Sequence, residues 1–109
     1  MSAILLVMTN MPDVDSANAL GRQIVEARAA ACVSQLAPCI STYRWRGKIE
    51  TSTEVPLVIK TTRAAYPELE KLISLAHPYE LPEIIAVPVE VGLPAYLAWI
   101  NSETQSNKE

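Results

Sequence analysis

The stretch Tyr43-Arg44-Trp45-Arg46-Gly47-Lys48-Ile49-Glu50 sits between two long runs of strand character and marks the tip of a hairpin. Before it, Cys32 to Trp45 reads as one long strand interrupted at Ala37-Pro38, with Tyr43 and Trp45 on one face and Thr42, Arg44 and Arg46 on the other. Gly47 and Lys48 suit the turn. After it, Ile49-Glu50 through Thr61 brings the chain back, with Val55, Leu57 and Ile59 alternating. Pro56 has no backbone donor, so the returning strand is expected to lie at an edge or to bulge there.

Working outward toward the N-terminus, residues 3–9 form the apolar run Ala-Ile-Leu-Leu-Val-Met-Thr, closed by Asn10-Met11-Pro12-Asp13. A run of that length predicts a central strand buried on both faces. Asp13, Asp15 and Ser16 then offer helix caps, and Ala17, Leu20, Ile24, Ala27 and Ala31 recur at spacings of three and four. Toward the C-terminus, Leu69, Leu72, Ile73 and Ala76 define a second amphipathic helix over about 64–76, with Pro67 in its first turn and His77-Pro78 ending it. Tyr79-Glu80-Leu81-Pro82 reads as an extended connector, residues 83–89 as a fourth strand, and Tyr96, Leu97 and Ile100 as a short terminal helix.

The order strand, helix, strand, strand, helix, strand predicts an α+β fold of the ferredoxin-like βαββαβ type, with an antiparallel sheet and a short C-terminal helix. We expect one domain over residues 1–101, followed by a polar tail at 102–109. Two helices cover one face of such a sheet and leave the other bare. A bare face with exposed Tyr43 and Trp45 is an aggregation hazard, so oligomerisation through the sheet or hairpin is expected.

Composition narrows the function. The 109 residues carry 9 Lys and Arg against 12 Asp and Glu, a net charge of −3, and the basic residues are scattered, which argues against a nucleic-acid partner. The apolar N-terminal run is too short to cross a membrane and has no positive flank, so a cytoplasmic protein without a membrane partner is expected. Cys32 and Cys39 have no second pair or histidine cluster beside them and read as packing residues. With one histidine, three glycines and no phosphate loop or nucleophile motif, nothing points to an enzyme, and no catalytic residue is assigned.

Several separate motifs carry a family resemblance. Tyr43-Arg44-Trp45-Arg46-Gly47-Lys48-Ile49-Glu50, Thr53-Glu54-Val55, Ile59-Lys60-Thr61, His77-Pro78-Tyr79-Glu80-Leu81-Pro82-Glu83, Ala30-Ala31-Cys32-Val33 and Tyr96-Leu97-Ala98-Trp99-Ile100 occur in the order found in the CutA family. The chain resembles that family over residues 4–101. The resemblance implies a tight homotrimer in which long hairpins extend the sheets of neighbouring subunits, much as in PII-type signalling proteins. It also implies a role in tolerance of divalent cations, copper among them.

The family's copper ligands, carried over by position, are a cysteine in the first strand and two adjacent histidines before Pro-Tyr. Here the cysteine position is Met8, the first histidine position is Ala76, and His77 alone remains. A thioether with an imidazole suits soft Cu(I) better than Cu(II) or zinc. His77 has a structural alternative as the cap of the second helix, stacked near Tyr79. Trp45, Glu54, Lys60, Tyr79, Glu80 and Glu83 form a second candidate group, an intersubunit pocket able to hold a cation or a small ligand, or else a salt-bridge network that orders the trimer. The aromatic set Tyr43, Trp45, Tyr79 and Trp99 lacks the sheet motif of RNA-binding domains and is assigned to packing. Three functions stay open: a trimer that binds copper or another divalent cation, a PII-like sensor with a small ligand between subunits, and a non-catalytic interaction scaffold.

Overall fold

The computed structural model describes residues 2–105. In chain order it contains β1 (Ile4–Met11), α1 (Val14–Glu26), β2 (Cys32–Gln35), β3 (Cys39–Trp45), β4 (Lys48–Thr62), α2 (Tyr66–Ala76), β5 (Ile85–Pro88) and α3 (Pro94–Glu103). The expected interrupted strand is two strands, β2 and β3, separated at Leu36-Ala37-Pro38. The sheet order is β2-β4-β1-β5, with β3 also pairing β4, and every pairing is antiparallel. Counting β2 and β3 as one, this is the ferredoxin-like arrangement.

Side chains alternate across β1, so Leu5, Val7, Thr9 and Met11 face one way and are buried. Together with Val55, Leu57 and Ile59 of β4, they pack on Ala17, Leu20 and Ile24 of α1 and Leu69 and Ile73 of α2 to form the main core. Helix α1 starts where Asp13 accepts a hydrogen bond from the Ser16 N–H at 2.7 Å. It stops at Glu26 rather than running on to Ala31, because Arg28 takes a positive φ of 58° and turns the chain toward β2.

Three expectations change. First, β4 is a central strand, flanked by β1 on one side and β2 and β3 on the other, so Pro56 is not at an edge. Its carbonyl accepts from Leu36 N–H at 2.9 Å, on the side where its missing N–H would also point. That side is the break between β2 and β3, so no ladder bond is lost. Second, the turn residues are Arg46 and Gly47, with φ of 51° and 80°, and Trp45 pairs Lys48. Two successive left-handed residues make the two-residue turn whose twist suits a hairpin. Third, residues 102–105, expected to open a polar tail over 102–109, belong to the folded body. Helix α3 runs to Glu103, Thr104 is buried, and Gln105 N–H bonds to Arg28 carbonyl at 2.9 Å. Residues 106–109 lie outside the described residues.

The second face of the sheet is not wholly bare. Helix α3 lies over one end of it, where Ile100 packs with Ile4 and Ala31, and Leu97 and Val89 close around them. The other end stays open, and β3 with the outer part of β4 projects beyond the body as a hairpin.

Candidate functional site

The inner face of the hairpin carries Ser41, Tyr43 and Trp45 from β3 and Glu50, Ser52 and Glu54 from β4, because directly opposed residues in an antiparallel pair share a face. Facing them is the connector between α2 and β5, which brings Tyr79, Glu80 and Glu83. Between the two lies a cleft of about 850 Å³ with Asn10 of β1 at its base. Five of the six residues expected to form a pocket therefore meet here: Trp45, Glu54, Tyr79, Glu80 and Glu83.

Lys60 is elsewhere. It stands six residues from Glu54 along β4, roughly 20 Å at the rise of an extended strand. Its Nζ donates to Cys32 Sγ at 3.8 Å and lies 5.8 Å from the Tyr96 ring centroid. Burial pushes the Lys60 ammonium down, but hydrogen bonding and charge from Tyr96 and Cys32 outweigh it and hold it above the usual lysine value.

Asn10, at the end of β1, organises the base of the cleft. Its Nδ2 donates to Glu83 Oε1 at 3.2 Å and reaches Glu54 Oε1 at 3.4 Å. Glu54 is buried, and its carboxylate also faces the Tyr79 hydroxyl. Burial first, then the charge and hydrogen bond of Glu54, raise Tyr79 above the ordinary phenol value. At the mouth, Arg46 Nη2 donates to Glu80 Oε1 at 3.0 Å, and the guanidinium sits 5.2 Å from the Trp45 ring centroid.

His77 is the C-cap of α2 in backbone terms, with its N–H on Ile73 carbonyl at 2.9 Å. Its imidazole does not bond the last carbonyls of the helix. Nε2 meets the carbonyl oxygen of Asn10, and Nδ1 accepts from Tyr79 N–H at 3.3 Å. This pairing places the ring proton on Nε2. The ring also lies 4.6 Å from that of Tyr79. Met8 pairs Val58 and Ile85 in the sheet and faces the open side, as Asn10 does. Met8 lies within β1, and His77 bonds the backbone of the same strand two residues farther on, at Asn10. Among the described residues no group of three His, Cys, Asp or Glu side chains is gathered to hold a metal ion.

Sequence reasoning missed Asn10 and Arg46. Asn10 reads as a strand terminator, and its amide and carbonyl find their partners only at Glu54, Glu83 and His77, 44, 73 and 67 residues away. Arg46 reads as a turn neighbour and becomes visible as a cleft residue only once Glu80 is placed opposite.

A ferredoxin-like subunit with a projecting hairpin, a cleft under that hairpin and a buried histidine bonded to the backbone of Asn10 at its base defines a narrow class of small α+β proteins. The sequence profile of the CutA1 divalent ion tolerance protein family matches residues 5–103, and the chain belongs to that family. Mouse (Mus musculus) protein CutA is 43% identical over 95 residues, covering 87% of this chain and 54% of its own. The divalent-cation tolerance protein CutA of Thermus thermophilus is 36% identical over 99 residues, covering 91% of this chain and 96% of its own. The chain thus spans about half the length of its mammalian relatives and nearly all of this bacterial one. Among solved structures, CutA of Xylella fastidiosa superposes with a TM-score of 0.92 at 48% identity, covering 95% of this chain and 100% of that one. Relatives are named for different compartments, chloroplastic in Arabidopsis thaliana and periplasmic in Archaeoglobus fulgidus. No helix among the described residues is long and apolar enough to cross a membrane.

Proposed function

We propose that this chain serves tolerance of divalent cations as a non-catalytic homotrimer that binds copper or a similar ion through His77 and Met8. The observation that carries the residue assignment is the hydrogen bond from His77 to the β1 backbone at Asn10, which holds the chain's single imidazole beside the strand that carries Met8. A neutral imidazole and a thioether are ligands for a soft ion such as Cu(I). Both ring nitrogens are hydrogen-bonded, so binding requires His77 to release one partner, which lowers affinity. Homotrimer formation is supported by the apolar side chains left in water: Ile40 and Ile49 on the outer face of the hairpin, 75% and 69% exposed, and Ile85 and Val87 on edge strand β5.

The test is a calorimetric titration with Cu(I) and with Cu(II), each on the wild type and on His77→Ala. Saturable Cu(I) binding, weakened about tenfold or more in the variant, is the expected result. Unchanged binding in His77→Ala would remove the histidine from the assignment.

A second reading is favoured by the cleft itself. A concavity of about 850 Å³ with aromatic walls and a few convergent polar groups is the usual form of a small-molecule site. On this reading the protein is a PII-like signalling trimer whose hairpin cleft takes a small ligand where subunits meet. The ligand would raise the melting temperature by mass action on the folded state.

A further inference from the structure

Cys32 on β2 and Lys60 on β4 are directly opposed across the sheet, and the Lys60 ammonium donates to Cys32 Sγ at 3.8 Å. Opposed side chains share a face and start from Cβ atoms about 5 Å apart, so the contact follows from strand register. That register is pinned on both strands. Ile59 and Thr61, on either side of Lys60, have no exposed surface, and next to Cys32 the Ala31 N–H bonds to the Lys60 carbonyl at 2.9 Å. The pair lies at the α3 end of the sheet, where Lys60 Nζ stands 5.8 Å from the Tyr96 ring centroid.

A nucleophilic sulfur and a primary amine are thus held against each other within one chain. The Cys32 thiol is free and half-buried, open to a small oxidant. Cys39 is no partner for it. It pairs Glu54, six β4 positions from Lys60, roughly 20 Å at the rise of an extended strand, which is far beyond the span of a disulfide.

We propose that peroxide drives a covalent bond between Cys32 Sγ and Lys60 Nζ, a sulfenamide that staples edge strand β2 to β4. In the first step the Cys32 thiolate attacks one peroxide oxygen. The S–O bond forms, the O–O bond breaks, and the leaving hydroxide takes a proton from the Lys60 ammonium and departs as water. This leaves a sulfenic acid beside a neutral amine. In the second step the Lys60 nitrogen attacks that sulfur. The N–S bond forms, the S–O bond breaks, and the hydroxyl leaves as water with a proton from the nitrogen. One peroxide is reduced to two waters, and the sulfur gives up two electrons. Capture by a fixed neighbour outruns attack by further peroxide, so the sulfur stays at a level that thiols reverse and does not pass on to sulfinic acid. The staple uses neither His77 nor Met8 and is independent of the hairpin cleft.

The experiment is peptide-map mass spectrometry of the whole protein after millimolar hydrogen peroxide, on wild type, Cys39→Ser, Lys60→Arg and Cys32→Ser. The expected product joins the Cys32 and Lys60 peptides and is lighter than their sum by two hydrogens. It should form equally in Cys39→Ser, be absent from Cys32→Ser and revert with dithiothreitol. Lys60→Arg keeps the charge but removes the amine, so its Cys32 should remain a sulfenic acid that dimedone traps, where the wild type yields little adduct. Loss of the cross-link in Cys39→Ser overturns the inference, since the product would then be a disulfide. So does a wild-type Cys32 that stays unoxidised, gains oxygen without joining Lys60, or gives as much dimedone adduct as in Lys60→Arg.

Discussion

Asn10 links the two candidate sites: its carbonyl holds the imidazole of His77 and its amide holds Glu54 and Glu83. Nothing in a strand-ending asparagine announces this, because its partners arrive from 44 to 73 residues away in sequence, Glu54 on β4 and His77 and Glu83 beyond α2. Tyr79 reports the electrostatics of the same corner. Its folded-state value lies above the usual 10.0, from burial first and Glu54 second. The native state therefore keeps a proton that the unfolded chain gives up, so this contribution is fully present below pH 10.0 and is lost as pH rises beyond it. Denaturant titrations of wild type and Tyr79→Phe across that range should show a shallower alkaline loss in the variant, with Tyr66 and Lys60, shifted in the same direction, contributing to the remaining slope. At the hairpin tip, Gly47 has a φ of 80° and open space where a Cβ would go. Gly47→Ala should therefore cost about 1–2 kcal/mol through backbone strain alone, measured by chemical denaturation. An unchanged midpoint would mean that the turn relaxes into another type.

The decisive element is β4, fifteen residues long and paired with three other strands. Its period was legible in the sequence, since Val55, Leu57 and Ile59 alternate and all three are buried. So were the order of elements and the existence of the hairpin, because local alternation and turn chemistry specify both. The centrality of β4 was not legible. Pro56 argued for an edge or a bulge, and only the long-range pairing shows that the missing donor points at the gap between β2 and β3. The reach of α3 was likewise hidden: a polar stretch gives no sign that Thr104 is buried or that Gln105 bonds to Arg28. For the site, the aromatic and acidic residues of hairpin and connector were legible as a group, whereas Lys60 was grouped with them by sequence motif and lies at the far end of the strand. Because Leu57 is fully buried between the sheet and α1, Leu57→Ala should cost about 2–5 kcal/mol, read from the denaturation midpoint at constant slope.

At the scale of the whole molecule, the described residues leave one end of the sheet, the outer edges of β2, β3 and β5 and a projecting hairpin without partners of their own. The chain extends 44 Å along its longest axis and 23 Å along its shortest, and the hairpin carries apolar side chains that a monomer gains nothing by exposing. Light scattering should give three times the chain mass for the wild type. The double variant Ile40→Asp, Ile49→Asp should lower it without unfolding the subunit, since neither side chain contributes to the core. A mass unchanged in the double variant would place the interface elsewhere. Family membership brings the expectation of metal handling, and the residues that would do it are a thioether and one hydrogen-bonded imidazole. The measurement that bears on this most directly is X-ray absorption at the copper edge on Cu(I)-loaded protein, wild type beside Met8→Leu. One sulfur and at least one nitrogen in the first shell of the wild type, with the sulfur lost in Met8→Leu, is the predicted result. A sulfur that persists in Met8→Leu, or a shell of oxygen alone, would contradict the assignment of copper to Met8 and His77.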